Sequence, residues 1–192
     1  TGDERGMKAT LIISGKAGSG KDMTAKFMKE ELEKHGKKVL IIHYGDAVKH
    51  VLRAYFNWNG EKDIIGRTLL QRVGTDIVRT CHPNFWVAFV IGLLQSFEPY
   101  SDFDIALVPD ARFPNEVDIA LQELKNCTAV RIERRNPDGS EWINPVLTED
   151  QREHPSETSL DCYAFDYVIH NDEGLDTLRE SAITVLKDLK LI

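Results

Sequence analysis

A glycine-rich turn between an apolar strand and a helix constrains the fold of this chain more than any other feature. Residues 8–14 form a short apolar run that is typical of a buried strand. Residues 15–22 then read Gly-Lys-Ala-Gly-Ser-Gly-Lys-Asp, and apolar residues follow at helical spacing up to Gly36, a residue type at which helices commonly end. This order predicts an α/β unit that opens on a strand, a tight turn and a helix.

The turn fits the pattern Gly-x-x-x-x-Gly-Lys, the start of a P-loop. Glycines let the backbone turn tightly and approach a ligand closely. Successive N–H groups at a helix N-terminus then form an anion site, and the lysine reaches the outer phosphates. We therefore expect the turn to bind ATP through Gly15, Ala17, Gly18, Ser19, Gly20, Lys21 and Asp22.

Asp22 stands where P-loops usually carry Ser or Thr, whose hydroxyl binds Mg²⁺. A carboxylate is also a magnesium ligand, because the ion prefers oxygen. Asp110, at the end of a predicted strand, is expected to hold the same ion through water. The alternative for Asp22 is a first-turn acid that the helix dipole stabilises.

Strand-like and helical patterns alternate along the chain. We expect strands at 8–14, 39–43, 104–108, 128–132 and 167–170. We expect helices at 21–35, 47–56, 115–125 and 175–189, with two or three more within 64–97 and a polar, irregular and mobile excursion at 134–155. The alternation predicts a three-layer α/β fold with a central parallel sheet of about five strands.

Composition narrows the class of protein. The 192 residues suit one domain, which we place at 7–192, with 1–6 expected to be a cloning remnant. A formal net charge of −7 disfavours binding to a nucleic-acid polymer. The sequence contains no run of about 18 apolar residues, so it predicts no membrane-spanning helix. Three dispersed cysteines predict neither a disulfide framework nor a zinc site, so a cytoplasmic location is expected.

Three motifs in sequence resemble the deoxynucleoside monophosphate kinase family of phages and bacteria. They are Gly-Lys-Asp at 20–22, Gln-Arg-Val-Gly-Thr-Asp-Ile-Val-Arg at 71–79 and Asp-Ala-Arg-Phe-Pro-Asn-Glu at 110–116. The similarity extends over about residues 8–187. It implies a nucleoside monophosphate kinase-like P-loop fold with a helical acceptor-binding region at about 46–100, a lid at about 134–157, and transfer of the ATP γ-phosphoryl group to a nucleotide.

Candidate acceptor residues cluster in and after the helical region. Arginine offers a planar fork that suits a phosphate, glutamine can hydrogen-bond a base edge, and tryptophan can stack on a base. Together with the resemblance this selects Asp46, Arg67, Gln71, Arg79, Trp86 and Arg112. The alternatives are surface ion pairs for the arginines, a core position for the tryptophan and an N-cap for Asp46.

Cations of the lid are expected over the transferring phosphoryl group, where negative charge spreads in the transition state. The catalytic candidates are Lys21, Arg112, Arg134 and Arg152, with Arg135 as a further lid arginine. Asn171 follows the last strand, where kinases of this kind meet the adenine, and its alternative is a simple turn. The His-Pro-Ser-Glu run at 154–157 also resembles the family, and no chemistry is assigned to it.

The expected function is ATP-dependent phosphoryl transfer to a (deoxy)nucleoside monophosphate, with small-molecule nucleotides as partners. One alternative is a kinase of another phosphorylated metabolite, such as an isoprenoid or coenzyme A precursor. Another is a nucleotide-binding regulator that transfers no phosphate, although the Asn-Lys-x-Asp motif of GTPases is missing from the sequence. The sequence leaves the acceptor base and the oligomeric state open, with a homodimer as one alternative.

Overall fold

The computed structural model describes residues 6–97 and 102–192; residues 1–5 of the predicted remnant at 1–6, and the end of the predicted helical region at 98–100, lie outside them. Within these residues, five strands form one parallel sheet in the order β2-β3-β1-β4-β5. They are β1 (Ala9–Ser14), β2 (Val39–Ile41), β3 (Ile105–Ala111), β4 (Cys127–Glu133) and β5 (Tyr167–His170). The prediction of a five-stranded parallel sheet is confirmed.

Helices connect the strands, and the longest of the chain connections lies between β2 and β3. The described helices are α1 (Lys21–Lys34), α2 (Asp46–Tyr55), α3 (Ile64–Gln71), a π-helical turn (Arg72–Ile77), α4 (Val78–Cys81), α5 (Phe85–Phe97), α6 (Pro114–Glu123), α7 (Glu149–Glu153), α8 (Pro155–Thr158) and α9 (Leu175–Asp188). The stretch 64–97 is helical without a strand, as predicted.

The two faces of the sheet are both covered. Leu11 and Ile13 of β1 pack with side chains of α1 and α9, whereas Ile12 packs with those of α5 and α6. All three side chains are fully buried, and successive residues of a strand point to opposite faces. The three-layer arrangement follows from this alternation. It places the end of central β1, and the turn that follows it, in the middle of the sheet's carboxyl edge.

Strand β3 runs three residues beyond its predicted end at Val108. Its pairing with β1 shifts there, because Ile12 faces Val108 and Ser14 faces Ala111. The extra residue forms a bulge around Pro109, which has no N–H to donate to the sheet. The bulge lets a proline continue the strand, and Asp110 therefore lies within β3 and not after it.

The segment 134–155 is more ordered than the predicted irregular excursion. It contains α7 and a bridge between Arg135 and Glu141. Leu147 and Gln151 are 8% and 4% exposed, so the segment packs against the rest of the molecule. A Thr148 capping box begins α7, since Gln151 and Thr148 exchange hydrogen bonds.

None of the described helices alone has the length and apolar character to cross a bilayer. Ile64–Cys81 and Phe85–Phe97 meet the length and composition criterion only as a pair, bent by 89°.

Candidate active site

A cavity of about 290 Å³ lies at the carboxyl edge of the sheet, beside the glycine-rich turn. Parallel sheets bind their ligands at this edge. The cavity brings together residues that are widely separated in the sequence. Those among the sequence candidates are Lys21, Asp22, Arg67, Gln71, Arg79, Trp86, Asp110 and Arg112.

The glycine-rich turn has the conformation that its sequence predicts. Gly18 and Gly20 have φ of 83° and 104°, a region that favours glycine. A Cβ on Gly15 would lie 2.8 Å from the Ile132 carbonyl and closer still to Ser19, so this position is also restricted to glycine. The turn leads directly into α1, whose first residue is Lys21.

Lys21 is a buried cation that is only 7% exposed. Burial, with a smaller contribution from the nearby Arg112 guanidinium, lowers the pKa of its ammonium group to about 8, although Asp22 and Glu157 oppose the shift. An anion that enters the cavity would strongly stabilise the charged form of an ammonium group held in this environment. The electrostatics therefore suit a bound phosphate.

Asp110 connects β3 to the loop that follows β2. Its two carboxylate oxygens accept hydrogen bonds from the Tyr44 amide at 2.8 Å and the Gly45 amide at 2.9 Å. Asp22 is open to the cavity, its carboxylate 67% exposed and 3.9 Å from His43 Nε2. Among residues 6–97 and 102–192, no three His, Cys, Asp or Glu side chains form a metal-binding group. Mg²⁺ commonly binds through one or two carboxylates plus substrate phosphates, so these two acids fit such an ion.

Two of the three predicted acceptor arginines, Arg67 and Arg79, lie in different electrostatic environments. Arg79 forms an ion pair with Glu116, which is 2% exposed, and its guanidinium lies 4.1 Å from the Phe113 ring centre. Burial raises the pKa of the Glu116 carboxyl to about 7, although Arg79 opposes the shift. Arg67 has no ion pair within the described part of the chain, and its buried Nε has no hydrogen-bond partner there. Arg67 is thus the cation better placed to receive a ligand.

Trp86 and Gln71 have structural contacts as well as a place in the cavity wall. Trp86 is 4% exposed and donates from Nε1 to the Gly74 carbonyl at 2.9 Å. It packs in a small cluster with Val48 and Leu52 of α2. Gln71 donates from Nε2 to the Gln151 carbonyl at 3.3 Å.

Four of the predicted residues lie elsewhere. Arg134 donates to the Gly18 carbonyl at 3.2 Å and borders a second cavity of about 340 Å³ on another side of the turn. Asn171 donates to the Ser19 carbonyl at 2.9 Å. Asp46 is the first residue of α2 and accepts from the His43 amide at 3.0 Å. Arg152 of α7, like Asn171 and Asp46, lines neither of these two cavities.

Sequence reasoning missed several residues of the main cavity. Lys49 and Lys62 add cations, and burial together with Lys49 lowers the pKa of Lys62. Tyr44 and Phe113 add aromatic surface. Single lysines in polar, surface-like stretches carry no sequence signal for a site. Glu157 also lines the cavity, and its place in the 154–157 run was the one available signal.

Comparison with known proteins identifies the family. The family model for deoxynucleotide monophosphate kinase matches residues 32–182. The structure of a sugar kinase from Janibacter sp. HTCC2649 is similar, with a TM-score of 0.57, 14% identity and coverage of 94% of this chain and 95% of that chain. A gluconokinase from Sinorhizobium meliloti 1021 has a TM-score of 0.51, 14% identity and coverage of 96% and 95%.

These structural similarities show the fold, and the family match covers most of the chain. No curated protein sequence matches it. The chain is a kinase with a P-loop fold, and it belongs to the deoxynucleotide monophosphate kinase family.

Proposed function

We propose that the protein transfers the γ-phosphoryl group of ATP to a (deoxy)nucleoside monophosphate. The observation that carries this proposal is the continuous cavity. Lys21 and Asp22 of the phosphate-binding turn line it together with Arg67 and Gln71 of the helical region. One open cavity therefore borders both the turn that would hold the donor phosphates and the residues that would hold the acceptor, and phosphoryl transfer requires the two substrates side by side.

The Ala17 and Ser19 amides already donate to Glu157 and to the Lys16 carbonyl, so the donor phosphates would bind to other amides of residues 15–22 and to Lys21. Asp22 would hold the Mg²⁺ that accompanies ATP, and Asp110 would contact it through water, since both its oxygens already accept amide hydrogen bonds. The ion, when bound, neutralises charge on the phosphate oxygens. The base of ATP would lie beyond the turn, near Arg134 and Asn171. Both of these side chains donate hydrogen bonds to backbone carbonyls of the turn.

The acceptor would occupy the other half of the cavity. Arg67 and Lys62 have no ion pair within the described residues and would receive its phosphate, with Lys49 beside them. Tyr44, Trp86 and Phe113 provide aromatic walls, which favour a base over a small apolar metabolite. The Gln71 amide would contact a base edge.

Positioning and charge stabilisation account for the chemistry, because phosphoryl transfer needs little covalent help from the protein. Arg112 borders the cavity near Lys21 and would stabilise the transferring group. The lid already covers the turn, since Asn144 donates to the Ala17 carbonyl at 3.0 Å. Covering the phosphates keeps water from accepting the phosphoryl group.

The free cysteines at 81, 127 and 162 agree with a reducing cytoplasm as the compartment.

An ADP-release assay tests the proposal with ATP, Mg²⁺ and a panel of NMPs, dNMPs and phosphorylated metabolites. We expect acceptor-dependent ADP formation that is strongest with one or a few dNMPs. Lys21→Ala should abolish it, whereas Lys26→Ala, at an exposed position of the same helix, should not. Equal ADP release with and without every acceptor would contradict a kinase, and turnover with a non-nucleotide acceptor alone would contradict the acceptor class.

A further inference from the structure

Glu157 bridges the phosphate-binding turn to a catalytic candidate. It lies in α8 and is 9% exposed. One carboxylate oxygen, Oε2, accepts a hydrogen bond from the Ala17 amide at 2.9 Å. The other, Oε1, forms an ion pair with Nη1 of Arg112. A single buried carboxylate thus connects the turn that would hold ATP to an arginine that lines the cavity.

The backbone around Glu157 is itself fixed. The Ser156 carbonyl accepts a second hydrogen bond from Arg112 Nη1 at 3.1 Å. His154 Nδ1 accepts from the Ser156 amide at 3.1 Å, and its Nε2 lies 3.1 Å from a carboxylate oxygen of Asp76. Glu157 is therefore held on a braced helical turn, and its carboxylate is a fixed point for the arginine.

The contacts leave part of the Arg112 guanidinium available. Both of its contacts from α8 use Nη1. Within the described part of the chain, Nε and Nη2 make no hydrogen bond. An arginine whose fork is fixed in advance loses less conformational entropy when it binds a phosphoryl group. The geometry therefore orients the remaining donors before the substrates arrive.

We propose that Glu157 is a positioning residue for phosphoryl transfer, which holds the Arg112 guanidinium at a set distance from the phosphate-binding turn. This inference rests on the proposed function. In this role Glu157 does not contact the transferred group. It acts through Arg112, so its removal should slow the chemical step and leave substrate binding largely intact.

The test compares kcat and KM of Glu157→Gln with those of the wild type and of Glu153→Gln, an exposed glutamate in α7. In Glu157→Gln the amide NH₂ faces the guanidinium, so we expect kcat to fall by about 10- to 100-fold. The KM for acceptor, and the Kd for a non-hydrolysable ATP analogue with Mg²⁺, should change by less than about threefold. Glu157→Asp keeps the charge and should retain more of the wild-type kcat than Glu157→Gln.

A double variant separates positioning from mere folding. If Glu157 acts through Arg112, Arg112→Gln combined with Glu157→Gln should be no slower than Arg112→Gln alone. A lower melting temperature with an unchanged kcat in Glu157→Gln and Glu157→Asp would overturn the inference, as would additive losses in the double variant. If the wild type transfers phosphate to no nucleoside monophosphate, the proposed function fails and the role of Glu157 in it fails too. Wild-type turnover with an unaffected Glu157→Gln enzyme overturns the positioning role alone.

Discussion

Lys21 illustrates, at the scale of the residue, a conflict between binding and stability. Its pKa falls from 10.5 to about 8 because the ammonium group is buried. The unfolded chain therefore binds more protons than the folded one between about pH 8 and pH 10.5. Below about pH 8, Lys21 lowers the free energy of unfolding by its full amount, and this destabilisation decreases as the pH rises towards 10.5. The residue that is best placed to bind phosphate thus lowers the stability of the ligand-free fold at neutral pH.

We predict that Lys21→Met is inactive yet more stable than the wild type at pH 7. Removing a destabilised buried charge should raise the free energy of unfolding by roughly 1–3 kcal/mol. Thermal unfolding without ligand measures it, with Lys26→Met as the exposed control. The difference should shrink between pH 8 and pH 10, and an equal or lower stability at pH 7 would contradict the explanation.

Arg67 and Arg79 should respond differently to the same substitution. Arg67 lacks an ion pair in the described structure, so Arg67→Met should leave the melting temperature nearly unchanged. It should raise the KM for the acceptor by about 10- to 100-fold, because the acceptor would lose one or two charge-assisted hydrogen bonds. Steady-state kinetics with varied acceptor measures this. An unchanged KM would remove Arg67 from the acceptor site.

Arg79→Met removes the ion-pair partner of Glu116, a carboxylate that is 2% exposed. Without Arg79, the Glu116 carboxyl, whose pKa burial already raises to about 7, must either stay charged without a partner or take up a proton, and we expect a loss of about 3–5 kcal/mol in the free energy of unfolding. Adding Glu116→Gln should recover much of it. Urea unfolding of the two variants measures this coupling. If Arg79→Met left the free energy of unfolding unchanged, the ion pair would contribute little to stability.

At the scale of the element, the π-helical turn at Arg72–Ile77 is the least predictable part of the site. Sequence periodicity predicts helix throughout 64–97 and does not reveal a wider turn. The turn directs the Gly74 carbonyl to the Trp86 indole, which donates to it at 2.9 Å. It also presents Gly74 and Thr75 to the cavity. π-helical turns inside helices occur frequently at functional sites, which agrees with this position.

Trp86→Phe tests the importance of this contact for the element. The substitution keeps an aromatic ring and leaves the Gly74 carbonyl without its donor, at a cost of about 1–3 kcal/mol. Hydrogen exchange of the amides in residues 72–78 should become faster, while that of β1 stays slow. Unchanged protection in 72–78 would show that the turn is held by the surrounding cluster and not by this hydrogen bond.

Over the whole molecule, patterns with local causes were predictable and relations between distant segments were not. The turn at 15–22 and the apolar strands follow from residue types that are adjacent in sequence. The pairing of Arg79 with Glu116, or of Glu157 with Ala17, depends on how the chain returns over the sheet. The motif at 110–116 pointed to Arg112 as functional but gave no sign of the carboxylate that holds it.

Gln151 connects the segment predicted to be the lid to α3 of the predicted acceptor-binding region. The side chain is 4% exposed and donates from Nε2 to the Ile64 carbonyl and to Thr68 Oγ1, each at 3.2 Å. Its own carbonyl accepts from Gln71 at 3.3 Å. One residue of α7 thus fixes the lid to α3 through three hydrogen bonds, so the two walls of the cavity are held as a unit.

We predict that Gln151→Ala lets water compete with the acceptor. Loosening the lid should raise the share of ATP that is hydrolysed without transfer, because closure protects the phosphoryl group from water. The measurement is the ratio of ADP to phosphorylated acceptor in the same reaction, which should approach one for a tight enzyme and exceed one for the variant. Glu153→Ala, at an exposed position of α7, is the matched control and should keep the wild-type ratio. If Gln151→Ala lowers turnover while the ratio stays at one, the hydrogen bonds between Gln151 and α3 support the geometry of transfer and do not exclude water.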